Sequence, residues 1–331
     1  MKTMIDFGDA RVYAIPMVTR FRGIDVREGM LIEGPAGWGD FCAFPEYDDR
    51  EAASWLTTAI EACTVGWPDP VRGRIPVNAT VPAVLPELAH QLVTTSGCRT
   101  VKVKVGDGLI GDDIARLEAV RDALPDGQIR VDANGAWDVD AAAVAIPLLD
   151  RAAGGLEYVE QPCPTVDELA AVRRKVDVRI AADESIRRAG DPMKVALAGA
   201  ADIAVIKVTP LGGVRRALRV AEACGLPCVV SSALETSVGL SAGLALAGAL
   251  PELDFACGLG TLSLLEGDVV GPARALRPVD GFLPVAPVTP TPDPALLDRY
   301  ELRDPARVRW WRDRLARVVE QGRAITKETE K

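Results

Sequence analysis

Val101-Lys102-Val103-Lys104-Val105 is a β-like run in which lysine interrupts valine at every second position. Four more apolar runs reach a charged residue in the same way: Val131-Asp132-Ala133-Asn134-Gly135, Val159-Glu160-Gln161-Pro162, Ala182-Asp183-Glu184-Ser185 and Val205-Ile206-Lys207-Val208. The key residues 104, 132, 160, 183 and 207 lie 28, 28, 23 and 24 positions apart, the length of one strand plus one helix. Repetition at that spacing predicts five successive βα units that carry Lys, Asp, Glu, Asp and Lys to the same end of one sheet.

The pattern extends on both sides. Strands are expected at Val77–Thr80, Thr100–Val105, Gln128–Asp132, Tyr158–Glu160, Ile180–Asp183, Ile203–Lys207, Cys228–Ser232 and Asp254–Cys257. Helices fall between them, near Leu85–Thr95, Asp112–Ala123, Val139–Ala152, Val166–Arg174, Pro192–Leu197, Gly213–Cys224 and Ser237–Ala249, several of them followed by Gly or Pro. Alternation of this kind makes a parallel (β/α) barrel over 74–265, of class α/β. Residues 1–73 read as a separate α+β unit. Its expected strands are Gly29–Glu33 and Trp38–Ala43, joined by a hairpin at Gly34-Pro35-Ala36-Gly37, with a helix over Asp49–Cys63. Residues 266–331 form a C-terminal segment, irregular through the proline-rich stretch 272–294. A helix follows over 304–322, with Val308, Trp311, Leu315 and Val319 at helical spacing, and residues 323–331 are expected to fray.

The bulk numbers restrict the function. Of 331 residues, 48% are hydrophobic and 26% charged, the composition of a soluble globular chain. A net charge of -9 argues against nucleic acid and against a basic membrane-surface helix. No signal peptide or spanning segment is apparent, so the expected location is the cytoplasm. Seven scattered cysteines and a single histidine, His90 on a helix, make a zinc site a poor reading. The oligomeric state stays open, a monomer among the options.

A parallel strand in a barrel is buried on both faces, so charges at its C-terminal end stand out, and that end is where such barrels keep their chemistry. Asp132, Glu160 and Asp183 fall at the ends of three consecutive strands, about 4.8 Å apart. Carboxylates so placed repel one another unless a cation sits between them, and hard oxygen ligands suit Mg²⁺. Lys102 and Lys104, two apart, share one face of their strand. Lys207 comes four strands later, roughly across the mouth. Lys102 fits a supporting role toward the carboxylates or a substrate, and Lys104, nearer the strand end, is the better proton handler. Lys207 serves either as an opposing base or as a cationic stabiliser. With a divalent ion, these groups suit removal of a proton next to a carboxylate and stabilisation of the resulting enediolate.

On Lys-Val-Lys (102–104), Asp-Ala-Asn-Gly (132–135), Glu-Gln-Pro (160–162), Ala-Asp-Glu-Ser (182–185) and Ile-Lys-Val (206–208), the chain resembles the enolase superfamily, muconate-lactonising subgroup. Within it, Phe21-Arg22-Gly23-Ile24, Val26-Arg27-Glu28-Gly29, residues 34–39, 46–49 and 231–239 are most similar to the actinobacterial type of the o-succinylbenzoate synthase family. The resemblance covers essentially the whole chain. It implies a modified (β/α)7β TIM-like barrel under an α+β capping domain built from both termini. It further implies Mg²⁺-dependent dehydration of 2-succinyl-6-hydroxy-2,4-cyclohexadiene-1-carboxylate (SHCHC) to o-succinylbenzoate, in menaquinone biosynthesis. By analogy Lys104 takes the proton, Asp132, Glu160 and Asp183 hold the metal, and Lys207 stabilises the anionic ring from the other face. The cap is expected to close the site through loops at 19–25 and 44–47. Arg20 or Arg22 would meet an anionic substrate, and Ser232 and Gly258 would offer backbone NH groups to its succinyl tail.

Two other readings compete. An N-acylamino acid racemase or dipeptide epimerase would use the same two lysines as opposed acid and base. Epimerases often carry an acidic pair at the eighth strand, which Cys257-Gly258-Leu259-Gly260 lacks. A non-catalytic metal-binding barrel would have no use for Lys104 and Lys207.

Overall fold

A computed structural model describes residues 5–187 and 193–329. The chain opens with an antiparallel sheet of β1 (Arg11–Phe21), β2 (Ile24–Gly34) and β3 (Gly37–Phe41), followed by helix α1 (Asp49–Thr64). There follow β4 (Arg74–Pro76), β5 (Ala79–Val81), α2 (Pro86–Ser96), β6 (Thr100–Lys104), α3 (Ile110–Ala123), β7 (Gln128–Asp132) and α4 (Val139–Ala152). Next come β8 (Val159–Glu160), α5 (Val166–Arg173), β9 (Ile180–Ala182), α6 (Glu184–Arg187), α7 (Met193–Leu197), β10 (Ile203–Ile206) and α8 (Val208–Leu211). The barrel part ends with α9 (Val214–Cys224), β11 (Cys228–Val230) and α10 (Ser237–Ala249). The last elements are β12 (Phe282–Pro284), α11 (Pro294–Arg299) and α12 (Pro305–Thr329). Of the helix expected over 192–197, Pro192 lies outside the described residues and α7 covers the rest.

Strands β5 to β11 form one sheet in chain order, and every ladder in it is parallel. Each right-handed strand–helix–strand crossover returns the chain beside its predecessor, which is why sequence order and sheet order coincide. The expected eighth strand at Asp254–Cys257 is not a ladder. Cys257 bridges Val77 and Gly258 bridges Ser231, both in parallel sense. Four backbone hydrogen bonds of 2.8–3.0 Å complete this seam, from Cys257 N to Pro76 O, Asn78 N to Cys257 O, Gly258 N to Val230 O and Ser232 N to Gly258 O. A Cβ on Gly258 would lie 2.6 Å from Ser231 Oγ, so any larger residue there would force Ser231 to shift.

The cap is larger than the sequence pattern suggests, since β1 and the first part of β2 are not expected from it. Pro16 breaks the run of β1, and proline is tolerated there because β1 is an edge of its three-stranded sheet. Helix α1 starts at an Asp48 cap, whose carboxylate accepts from Glu51 N at 2.8 Å. It packs so closely on β3 that a Cβ on Gly39 would stand 2.1 Å from Ala59 O. The C-terminal helix α12 continues into the stretch expected to fray, as far as Thr329, and buries Trp311, Leu315 and Val318 in the cap core with Phe41 and Trp55. The segment after 265 does not go wholly to the cap, because β12 pairs antiparallel with β4 beside the barrel. Among the described residues no helix is long and apolar enough to cross a membrane.

Cap and barrel share a buried polar seam. Tyr13 on β1 donates its hydroxyl to Asp40 on β3 at 2.9 Å, and the Thr236 hydroxyl, at the start of α10, donates to the same carboxylate at 2.7 Å. Burial raises the Asp40 pKa to about 6, against the lowering effect of Thr236, Arg27 and Tyr13. The folded state therefore holds this proton more tightly than the unfolded chain. Asp40's stabilising contribution is full below its ordinary value of 3.8 and is lost as pH rises through about 6. Replacing it by the uncharged Asp40→Asn should remove this slope. In denaturant unfolding between pH 4 and 7, the variant's stability relative to wild type is expected to rise with pH, by at most about 3 kcal/mol.

A candidate active site at the barrel mouth

Parallel register sets the site. Lys104 pairs with Asp132 across β6 and β7, and Asp132 pairs with Glu160 across β7 and β8. Asp183 follows β9 directly and Lys207 follows β10. Along β6 the alternation separates two jobs: Val101, Val103 and Val105 enter the hydrophobic layer, and Lys102 and Lys104 take the other face. In the closed ring Lys104 and Lys207 end strands four places apart, so they face each other across the mouth.

The three lysines and three acids are bonded to one another. Lys102 Nζ donates to both Glu160 oxygens at 3.1 Å and lies 3.3 Å from Asp132 Oδ2. Lys104 Nζ donates to Asp132 Oδ2 and to Asn134 Oδ1, each at 2.6 Å. Lys207 Nζ donates to Asp183 Oδ2. None of the three carboxylates is more than 1% exposed. Burial alone would raise all their pKa values, and the neighbours decide the outcome. Asp132 is held well below the usual carboxylate range, because Lys104, Lys102 and Lys207 outweigh its burial. Glu160 moves the other way, to about 7, through burial and the repulsion of Asp132, with Lys102 opposing. Burial disfavours the Lys102 ammonium, yet Glu160 and Asp132 raise its pKa above the ordinary value.

This donor set fits a hard divalent cation. It offers six carboxylate oxygens from three adjacent strand ends, and the charge around Glu160 is under-compensated. Among the described residues no three acidic, His or Cys side chains are drawn together as a formed metal cluster. The lysine amines sit on the carboxylates instead.

Two residues inside the motifs carry more than the sequence pattern assigns to them. Asn134 sits at φ +47°, takes the second hydrogen bond of Lys104, and donates through Nδ2 to Glu184 Oε1 at 3.3 Å. Gln161, at φ +40° and fully buried, accepts from Asp183 N at 3.0 Å and Ser185 N at 3.2 Å. It also donates to Cys163 O and Ser185 Oγ at 2.8 Å each. Its amide thus ties the end of β8 to the end of β9. Both residues adopt a left-handed backbone uncommon outside glycine, and their places beside Asp132 and Glu160 are the one signal the sequence offered. Below Lys102, Arg130 fills the barrel interior, donating to Tyr158 OH and Ala256 O at 2.9 Å and to Glu157.

Lys102, Lys104, Lys207 and Asp132 open on a cavity of about 830 Å³. Its roof is residues 19–23 and Phe44 of the cap, and one wall is residues 231–234 with Gly258 and Thr261. Arg22, expected to meet substrate, lines the cavity. Its guanidinium donates to Tyr47 OH at 2.6 Å and lies over the Phe44 ring, 4.0 Å from the centroid. Arg20 also lines it, paired with exposed Asp25 at 3.1 Å. Ser232 and Gly258 line it too, but the expectation that their NH groups serve a ligand needs correction. Both amides are taken by the barrel seam, to Gly258 O and Val230 O respectively. What Ser232 presents is a hydroxyl, 2.6 Å from that of Thr261, a residue that no sequence signal marked. His90 lies away from the mouth, paired with Asp122 at 3.3 Å on the outer helices.

Comparison with known proteins agrees with this geometry. A family model described as enolase C-terminal domain-like matches residues 84–290, and one described as enolase N-terminal domain-like matches residues 12–63. An o-succinylbenzoate synthase of Thermobifida fusca (strain YX) is 64% identical over 278 residues, spanning 83% of this chain and 86% of that protein. An o-succinylbenzoate synthase of Mycobacterium leprae (strain TN) is 54% identical over 307 residues, 92% of this chain and 89% of that protein. Among solved structures, a substrate-liganded complex of the L-Ala-D/L-Glu epimerase from Bacillus subtilis matches with a TM-score of 0.74 and 23% identity, over 88% of this chain and 98% of that one. That last likeness is one of fold.

The Glu160→Gln variant keeps the side-chain volume and an acceptor for Lys102 while removing one charge. Calorimetric titration with Mg²⁺ should show affinity reduced by about 100-fold, with an unchanged circular dichroism spectrum.

Proposed function

The chain belongs to the enolase superfamily, and we propose that within it the protein catalyses the o-succinylbenzoate synthase reaction, the dehydration of SHCHC to o-succinylbenzoate in menaquinone biosynthesis. The observation that carries this reading is the pair of amines, Lys104 and Lys207, that open on one cavity from opposite sides with Asp132 between them. The 54–64% identity to o-succinylbenzoate synthases over most of the chain supports the choice of substrate.

The chemistry asks little beyond proton handling. Lys104 Nζ, as the free amine, removes the proton on the ring carbon that bears the carboxylate. The electron pair of that C–H bond becomes a ring double bond, and the C–O bond to the neighbouring hydroxyl breaks. The Lys104 ammonium returns the proton to that oxygen, which leaves as water, so one base serves both halves. Lys207 stays an ammonium and holds the anionic ring from the opposite side. Asn134 keeps the Lys104 amine at the mouth through its Oδ1. When bound by Asp132, Glu160 and Asp183, Mg²⁺ would supply counter-charge for the negative charge that proton loss builds up. The cap loop at 19–23 and Phe44 exclude water over the reacting carbon. A small-molecule carboxylate as partner and a cytoplasmic site of action complete the reading.

An N-acylamino acid racemase or dipeptide epimerase activity shares the first step, and two amines on opposite sides suit it. The reactions diverge once the proton is removed: a dehydratase loses water, whereas a racemase or epimerase reprotonates the same carbon from the other side.

A spectrophotometric dehydration assay with SHCHC, run with Mg²⁺ and with chelator, tests the proposal beside the same assay on N-acylamino acids and dipeptides. Turnover of SHCHC that chelator abolishes is expected. Lys104→Ala should lower kcat by about 10⁴-fold, and Lys207→Ala should be nearly as severe, with fold and Mg²⁺ binding retained in both. Activity surviving in Lys104→Ala would remove it from the role of base.

A further inference from the structure

Arg27, on β2, is 1% exposed, and among the described residues no carboxylate lies within 4 Å of its guanidinium. Burial disfavours this charge, and Cys42, Tyr13, Asp40 and Glu235 around it outweigh that cost, holding its pKa above the ordinary value. Its side-chain hydrogen bonds go to backbone carbonyls. Here they join the cap to the wall of the cavity. Nε donates to Leu234 O at 2.7 Å, and Nη2 donates to Ala233 O at 3.4 Å and to Cys42 O just past β3. The same guanidinium lies over the Phe44 ring at 4.2 Å from its centroid, while Arg22 lies over that ring at 4.0 Å. Two guanidinium groups at that height cannot share one face, so Phe44 is clamped between them. Leu234 is itself strained, at φ +66°, where a branched side chain rarely sits. Arg27 holds its carbonyl, Ser232 Oγ accepts from its amide at 3.2 Å, and Glu235 accepts from Ala233 N at 2.8 Å.

One cation therefore sets two parts of the cavity that belong to different units, the 233–234 wall and, through Phe44, Arg22. The lysines and acids occupy the end of the cavity where a ring carboxylate reacts. The rest of the lining includes Arg22, Phe44 and residues 233–234, toward which a substrate's remaining arm would extend. We propose that Arg27 is a positioning residue that fixes the part of the cavity reading the carboxylate-bearing acyl arm, without touching the substrate. This inference rests on the proposed reaction. It assigns to Arg27 control of binding rather than of proton transfer.

The test uses Arg27→Met, Arg27→Lys and Leu234→Gly, the last relieving the strained backbone while freeing the wall. Each is measured for SHCHC kinetics, Mg²⁺ affinity, melting, and calorimetric binding of o-succinylbenzoate and of benzoate, which lacks the arm. Arg27→Met is expected to raise KM and weaken o-succinylbenzoate about tenfold or more, with kcat within about threefold and benzoate and Mg²⁺ binding unchanged. Arg27→Lys should recover only part of this, since one ammonium cannot reach the carbonyls a planar guanidinium bridges. Leu234→Gly should show the same KM effect with no loss of melting temperature. Unchanged KM and o-succinylbenzoate affinity in the folded variants, or a loss confined to kcat, would overturn the assignment. Wild type that neither turns over SHCHC nor binds o-succinylbenzoate would sink the functional reading itself, and this inference with it.

Discussion

Three carboxylates and three lysine side chains share a layer at the ends of neighbouring strands, and the buried carboxylates depend on the lysines that bond to them. Removing one partner from a buried pair leaves an uncompensated charge, at a cost of about 3–5 kcal/mol. The sharing is uneven. Asp132 accepts from Lys104, has Lys102 beside it and is held ionised, while Glu160 must share Lys102 with Asp132 and suffers its repulsion. The layer is thus balanced in number and unbalanced in place.

Around this layer the work divides between the two units. The barrel contributes charge, because parallel register brings one residue from each strand to a common level. The cap contributes walls, because its hairpin and the loop carrying Phe44 lie over the mouth. The buried polar contacts between them fall mostly on residues 231–236, where Asp40 and Arg27 meet the loop after β11. That loop also lines the cavity, starting beside Lys207, so the shaping of the cavity and the docking of the cap are one structural problem.

Residues 104, 132, 160, 183 and 207 were legible before any fold was known. Their spacing matches the βα repeat, and charge at the end of an apolar run conflicts with burial unless the residues meet. The barrel's strands and most of its helices emerged from the same periodicity. The residues that escaped notice did so for physical reasons. β1 is masked by Pro16, whose cost depends on whether its strand is central or at an edge. Asn134 and Gln161 work through their backbone conformation and through amides that contact neighbouring strands, neither of which periodicity encodes. Thr261 acts only because the seam brings it to Ser232.

Local order and the identity of the charged cluster were therefore determined by the amino-acid sequence alone, since strand and helix periods and the intolerance of buried charge are properties of short segments. Only the tertiary structure decided how the barrel closes, through single bridges at Cys257 and Gly258, a seam that takes up the Ser232 and Gly258 amides expected to meet a ligand. It alone also decided that Arg27 joins the cap to the cavity wall, because contacts between residues some 200 positions apart depend on how the cap and the barrel pack together.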